Sequence, residues 1–349
     1  MTQSPNADNQ YSPIAVTMGD PAGIGGEIAL KSWKAKSRSA QHPFFLIDDP
    51  NRLQALARNL SLNIPIEKIS SPGMTHDVFP KALPVLEEIL PERVTPGVPN
   101  SAMAASVIRS IDRALEFVLS GDASAMVTNP IHKSTLYDAG FNYPGHTEYL
   151  SAQTKSQCEP VMMLVSPSVR VVPATIHLSL RNAIEALSID GLARCTHTTA
   201  TALQNEFGIK HPRIAVAALN PHAGEDGHLG REEIEIISPA IERLKKEDLD
   251  ISGPFPSDSL FHEAARRRYD VVICMYHDQA LIPSKTLDFD SGVNVTLGLP
   301  IVRTSPDHGT AFDIAGTGKA NPGSLIAAIT VAAEMVAARH ALSNGCSLV

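Results

Sequence analysis

Strand-length apolar runs alternate with helix-length amphipathic stretches along the whole chain, a pattern that predicts an α/β protein whose strands are joined by helical crossovers. Residues 13–18 (PIAVTM) predict a first strand, 19–26 a glycine-rich turn, 27–36 a helix and 44–47 a second strand. A long helix is expected over 101–119, with Gly121 in the position where a left-handed glycine ends helices, and 125–128 starts a further strand. At 161–175 the apolar pieces VMMLV and VRVVPAT flank Ser166-Pro167-Ser168, which predicts a hairpin and places a domain change shortly before it. Residues 213–219 and 270–275 predict two buried strands, each running into a polar turn that bears a histidine. Open α/β sheets bind ligands beyond the carboxyl ends of their strands, so the chemistry is sought in those turns.

The chain has 349 residues, enough for about two domains. At 43% hydrophobic and 19% charged it is neither disordered nor fibrous, and its net charge of −8 without a basic tract speaks against a nucleic-acid partner. Cys158, Cys195, Cys274 and Cys346 form no CxxC pair, which fits a reducing cytoplasm better than a zinc cage or a disulfide framework. The start, MTQSPNADNQ, has no signal-peptide pattern, and a disordered tail is expected over 1–12. The apolar run 325–333 is half a membrane span and is followed by Glu334, so a buried helix is expected and no membrane partner. Arg266-Arg267-Arg268 reads as a solvated helix end before it reads as an anion clamp.

Of the 13 histidines, His177, His222 and His277 share one context, each just past an apolar strand. Three imidazoles converging from strand ends make a catalytic divalent-metal site; histidines that cap turns are the alternative. The loop 219–233 (LNPHAGEDGHLGREE) is glycine-rich enough for close approach to a ligand and is expected to open onto a helix at about Leu229. His228, six residues past His222, is a further candidate ligand or a turn residue. Lys285, Asn294 and Arg303 around the strand-like NVTLGLP suit an anionic substrate, with surface ion pairing as the alternative. His146 and Thr147 follow a Pro-Gly turn at an expected helix start, where amides and a hydroxyl hold phosphate or Thr147 simply caps the helix. Gly19 to Gly26, with Asp48 at the end of the next strand, approaches a dinucleotide fingerprint. Ile28 stands where that motif needs a small residue, and Gly318-Lys319-Ala320 likewise lacks the P-loop hydroxyl.

Seven segments in order resemble the 4-hydroxythreonine-4-phosphate dehydrogenase family: VTMGDPAGIGGE, VTNPIHKSTLYDAGFNYPGHTEYL, ATIHLSLR, LNPHAGEDGHLGREE, GPFPSDSLF, MYHDQALIPSK and GVNVTLGLPIVRTSPDHGTAFDIAGTGKA. The resemblance runs from about Ala15 to the last helix. It implies two α/β/α domains of the isocitrate/isopropylmalate dehydrogenase type with a cleft between them, not a Rossmann domain. Residues 1–139 and 289–349 form the cofactor side, and 140–288 the metal, substrate and dimerisation domain of a homodimer whose active site lies at the subunit interface. The implied metal ligands are His177, His222 and His277, drawn from both subunits; the implied substrate contacts are His146, Thr147, Lys285, Asn294 and Arg303.

The stretch 308–322 looks like the adenosine-binding loop of isopropylmalate dehydrogenases, which places NAD or NADP on His308, Gly309, Thr310, Ala311, Asp313, Gly316 and Asn321. The implied activity is metal-dependent oxidation of 4-phosphohydroxy-L-threonine at C3, with zinc, cobalt, manganese or magnesium as the ion. Lys285 is the expected proton carrier and Asp258 the second candidate. Gly26 departs from the proline usual in relatives, which loosens a helix start and touches no catalytic role. Relatives that oxidise four-carbon sugar-acid phosphates leave 4-phospho-erythronate open as an alternative substrate. A branch acting on a cyclic dihydrodiol lacks the His-Thr, Asn and Arg pattern found here. A metal-dependent hydrolase, against which the 308–322 loop argues, and a non-catalytic phosphometabolite-binding protein are readings of other classes.

Overall fold

The computed structural model describes residues 11–35, 42–156 and 158–345. Residues 1–10 of the expected tail, Lys36 of the expected first helix and Cys346 lie outside the described residues. The strands are β1 (Ile14–Thr17), β2 (Phe44–Asp48), β3 (Ile66–Ile69), β4 (Leu83–Glu87), β5 (Ala125–Val127), β6 (Val161–Val165), β7 (Arg170–Pro173), β8 (Ile214–Ala217), β9 (Ile251–Phe255), β10 (Val271–Cys274), β11 (Val293–Leu297) and β12 (Arg303–Pro306). Two compact units result, Met1–Lys155 with Leu299–Val336 and Ser156–Gly298 with Ala337–Val349. The chain changes unit later than the expected 139 and 288, for two physical reasons. Tyr149 and Leu150 of helix His146–Thr154 belong to the core of the first unit, and β11 pairs with β6 of the second.

In the first unit the strands run β3-β4-β2-β1-β5-β12, all parallel. Every residue of β1 is buried, as a central strand covered on both faces requires. Its core gathers Phe45, Ile47, Ile111, Met126 and Leu150. The expected long helix forms over Ala104–Ser120 and ends on Gly121 with φ 85°, the left-handed residue anticipated there. The last helix, Gly323–Gly345, contains a 21-residue apolar stretch, Gly323–Ser343, longer than the run read from sequence. Its Leu325, Ala328, Ile329, Ala332 and Met335 are buried, so length and composition are those of a core helix.

In the second unit the order is β11-β6-β7-β10-β8-β9. The predicted hairpin forms, with β6 and β7 antiparallel, and β11 adds antiparallel to β6. β7, β10, β8 and β9 are mutually parallel. Their carboxyl ends therefore share one edge of the sheet, and so do the turns that follow them. The three consecutive arginines end helix Glu263–Arg266: Arg267 pairs with Glu263, and Arg266 donates to Ser168 O at 3.1 Å.

Candidate active site

Three of the four turns at that edge carry the predicted imidazoles. His177 follows β7, His222 follows β8, and His277 is the first residue of helix His277–Leu287 after β10. His177 and His222 both hold left-handed backbone, with φ 54° and 51°. Ala223, Glu225 and Asp226 continue the run at φ 54°, 43° and 53°. Such conformations cost about 1–3 kcal/mol each in non-glycine residues and persist where surrounding contacts enforce them.

The enforcing contacts are visible. Buried Glu233 accepts from the amides of Leu219 and Asn220 at 2.8 and 2.7 Å and from Asn220 Nδ2 at 2.9 Å. Buried Gln279 donates to Ala218 O and Ser257 Oγ at 2.7 and 2.8 Å and accepts from Met275 N at 2.6 Å, tying together the ends of β8, β9 and β10. Neither residue was singled out by sequence, because each works through hydrogen bonds that form only when the turns fold back onto it, Glu233 within its own loop and Gln279 onto the ends of β8 and β9. The helix expected at Leu229 starts later, its regular part opening with a π-turn over Glu233–Ile237, since Glu233 is turned back onto the loop. His228 ends the left-handed turn.

The rings of His177 and His277 lie 6.1 Å apart and line a cavity of about 230 Å³ with Thr175, Tyr276 and Asp278. His277 Nδ1 is bonded to Asp278 Oδ1 at 2.7 Å, and His222 Nδ1 to Glu225 Oε2 at 3.0 Å. A carboxylate on Nδ1 fixes the tautomer that leaves Nε2 as a metal donor, so these two imidazoles fit a borderline divalent ion. Their ring bonds run to carboxylates, unlike those of turn-capping histidines. Among the described residues no three His, Cys, Asp or Glu side chains of this one chain are grouped to hold a metal, and the His222 side chain is 70% exposed.

Asp258 sits exposed in the turn Ser257–Ser259 after β9, at the same edge. Lys285 lies eight residues along the helix from His277, roughly 12 Å of axial rise, with Nζ 5.9 Å from the Phe289 ring. Asn294 on β11 has a buried Oδ1 without a hydrogen-bond partner.

In the first unit, the strand order reverses direction between β1 and β5, the place where α/β sheets open a ligand crevice. Arg303 on β12 is 3% exposed and donates to Thr128 Oγ1 at 2.6 Å. Burial lowers its pKa to about 10, with Glu148 opposing. His146 opens helix His146–Thr154, and its buried Nε2 has no partner. Burial first, then the charges of Arg303 and Lys133, push its pKa well below the ordinary imidazole value. A neutral imidazole held beside two cations is a place prepared for an anion. The helix N-cap is Gly145, so Thr147 is inside the first turn and is not the cap.

The glycine loop does not form a phosphate cradle. Ile24 N donates to Thr310 O at 3.0 Å, and a Cβ on Gly23 would lie 2.9 Å from the same oxygen, so the loop braces the 308–322 segment. Asp48, buried and paired with Arg52, is closed to a ribose; burial raises its pKa and Arg52 opposes the rise. Along the segment, His308 presents a buried Nε2 without a partner, Ala311 and Gly316 are left-handed at φ 43° and 71°, and a Cβ on Gly309 would meet open space. Asp313 is exposed, and Asn321 Oδ1 accepts from Gly323 N at 2.9 Å. The open side of Gly309 and the partnerless Nε2 of His308, whose Nδ1 is bonded to Gly309 O at 3.1 Å, fit a nucleotide that supplies the missing hydrogen bond.

The family model of the pyridoxal phosphate biosynthetic protein PdxA matches residues 39–332. The chain belongs to the PdxA family. A 4-hydroxythreonine-4-phosphate dehydrogenase of Methylorubrum extorquens is 51% identical over 326 residues, covering 92% of this chain and 93% of that one. That of Bradyrhizobium diazoefficiens is 48% identical over 343 residues, covering 95% and 99%. The crystal structure of the Klebsiella pneumoniae 4-hydroxythreonine-4-phosphate dehydrogenase superposes with a TM-score of 0.84 at 37% identity, covering 94% and 98%. The PdxA match takes in both the imidazole edge and the buried Arg303.

Proposed function

We propose that this PdxA-family chain is the NAD(P)-dependent dehydrogenase of pyridoxal 5′-phosphate biosynthesis, oxidising C3 of 4-phosphohydroxy-L-threonine to a β-keto acid that loses carbon dioxide to give 3-amino-2-oxopropyl phosphate. The observation that carries the substrate class is the buried Arg303 beside His146, whose buried Nε2 has no hydrogen-bond partner, a charge and a donor suited to an anion. When bound, the dinucleotide accepts hydride from C3, and a divalent ion of zinc, cobalt, manganese or magnesium polarises the C3 oxygen.

His177, His222 and His277 hold that ion, two of them already paired in one chain and the set completed by a second copy in a homodimer. His146, Thr147 and Arg303 hold the phosphate. Asn294 offers its open Oδ1 to a substrate hydroxyl or ammonium hydrogen. Lys285 takes the hydroxyl proton, with Asp258 the second candidate for that role. His308, Gly309, Thr310, Ala311, Asp313, Gly316 and Asn321 bind the dinucleotide. The cytoplasm, where NAD(P) and reduced thiols coexist, is its setting.

The test is His222→Ala. Metal content and turnover are expected to vanish together while the circular dichroism spectrum is unchanged. A variant that keeps its metal and most of its rate would sink the three-imidazole account.

A further inference from the structure

We propose that Glu27 and Lys31 are cofactor-positioning residues, a half-buried ion pair whose work is to set the shape of the 308–322 segment. The proposal rests on the reading that this segment binds the dinucleotide. Glu27 and Lys31 are four residues apart on helix Gly25–Ala35 and so lie on one face. The Glu27 side chain is 1% exposed and that of Lys31 20%.

Neither group is spent on the other alone. Glu27 Oε1 accepts from Lys31 Nζ at 2.8 Å and from Ala320 N at 3.0 Å, while Oε2 accepts from Gly318 N at 3.4 Å. Lys31 Nζ also donates to Gly318 O and Ala320 O, both at 2.7 Å. An ammonium has three hydrogens, and here all three are placed. One ion pair thus takes up both the amide and the carbonyl of Gly318 and of Ala320.

Those backbone groups have no helix or strand to satisfy them, because Gly316 and Gly318 are left-handed at φ 71° and 81°. The other end of the same segment is held from the turn before the same helix, through Ile24 N to Thr310 O at 3.0 Å. One helix and its entry turn therefore fix residues 310 and 318–320 together, and the residues between them, including Asp313 and Gly316, are presented from two anchored ends. Burying a charge pair is costly unless its geometry and hydrogen bonds are complete, and a pair so fully engaged with one loop restricts that loop to one shape. This assigns a use to the glycine loop and its helix.

The experiment compares Glu27→Gln, Lys31→Met, Lys31→Arg and His308→Ala. NADH affinity is read by fluorescence titration without substrate, alongside the KM for NAD and for the phosphorylated substrate and hydrogen exchange at the Gly318 and Ala320 amides. E27Q and K31M are expected to weaken NADH binding and raise the KM for NAD by roughly 3- to 30-fold. The two amides should exchange faster, the substrate KM should stay as in the parent protein, and K31R should recover most of the affinity. If E27Q does not fold, K31M at the partly exposed partner decides. Parent-like NADH affinity in K31M with weakened binding in H308A overturns the positioning role and leaves the segment as cofactor site. Parent-like affinity in H308A as well overturns the reading of the segment itself.

Discussion

His146 carries a pH signature. Its folded pKa lies below the ordinary value of 6.5, so as pH falls through that value the unfolded chain takes up a proton that the folded protein refuses. The associated stability is present above the ordinary value and is lost progressively below it. Phosphate seated beside the ring offsets the repulsion from Arg303 and Lys133, so it should raise the pKa. Ring-proton NMR titration with and without inorganic phosphate checks this; the expected outcome is an upward displacement that disappears in Arg303→Met, and an unmoved titration would remove His146 from the anion pocket. Residue types carried much of this in the sequence, since a histidine after Pro-Gly at a helix start and an arginine on a strand announce their chemistry. Glu27, Glu233 and Gln279 did not, because a carboxylate or amide on a helix has the same local pattern whether it faces water or a loop, and for Glu27 that loop is nearly three hundred residues away.

Among the elements, the turn after β8 depends most on a single side chain. Glu233→Ala leaves the partly buried amides of Leu219 and Asn220 without their charged acceptor, each such hydrogen bond worth about 1.5–3 kcal/mol, and releases the left-handed run that presents His222. Urea unfolding should show the loss, and metal affinity should fall by about 10- to 100-fold, as for other supports of ligating imidazoles. Parent-like stability and metal binding in this variant would mean the turn holds itself. Sequence located the turn from its glycines and misplaced the helix after it. Gly224 is one reason: a Cβ there would lie 2.7 Å from Glu233 Oε2, a closeness that only the folded loop reveals. Strands were more legible, since β1, β2, β8 and β10 are apolar runs bounded by breakers, and the hairpin β6–β7 followed from Ser-Pro-Ser between two such runs.

At the level of the whole molecule, the second unit exposes several large apolar side chains around the turn after β7 and on helix His277–Leu287 and the residues after it. Leu180, Ile282 and Phe289 are 59%, 62% and 76% exposed, and Leu178 is 47% exposed beside His177. The homodimer proposed above would bury them and complete the imidazole set. Sedimentation should give a dimer, and Ile282→Glu with Phe289→Glu should yield monomers that have lost metal and turnover together. Fully active monomers would contradict the shared site. The α/β class and the change of fold character near β6 were readable from sequence. The places where the chain changes unit were not, because they depend on β11 pairing back onto β6 and on Tyr149 and Leu150 packing into the first core.

The most direct test of the whole account is NADH formation by the purified protein with 4-phosphohydroxy-L-threonine, run beside 4-phospho-D-erythronate, each with and without a chelator. Turnover of the threonine derivative, abolished by the chelator and restored by a divalent metal, is the predicted result. Turnover of the erythronate alone, or a rate indifferent to chelation, would contradict it.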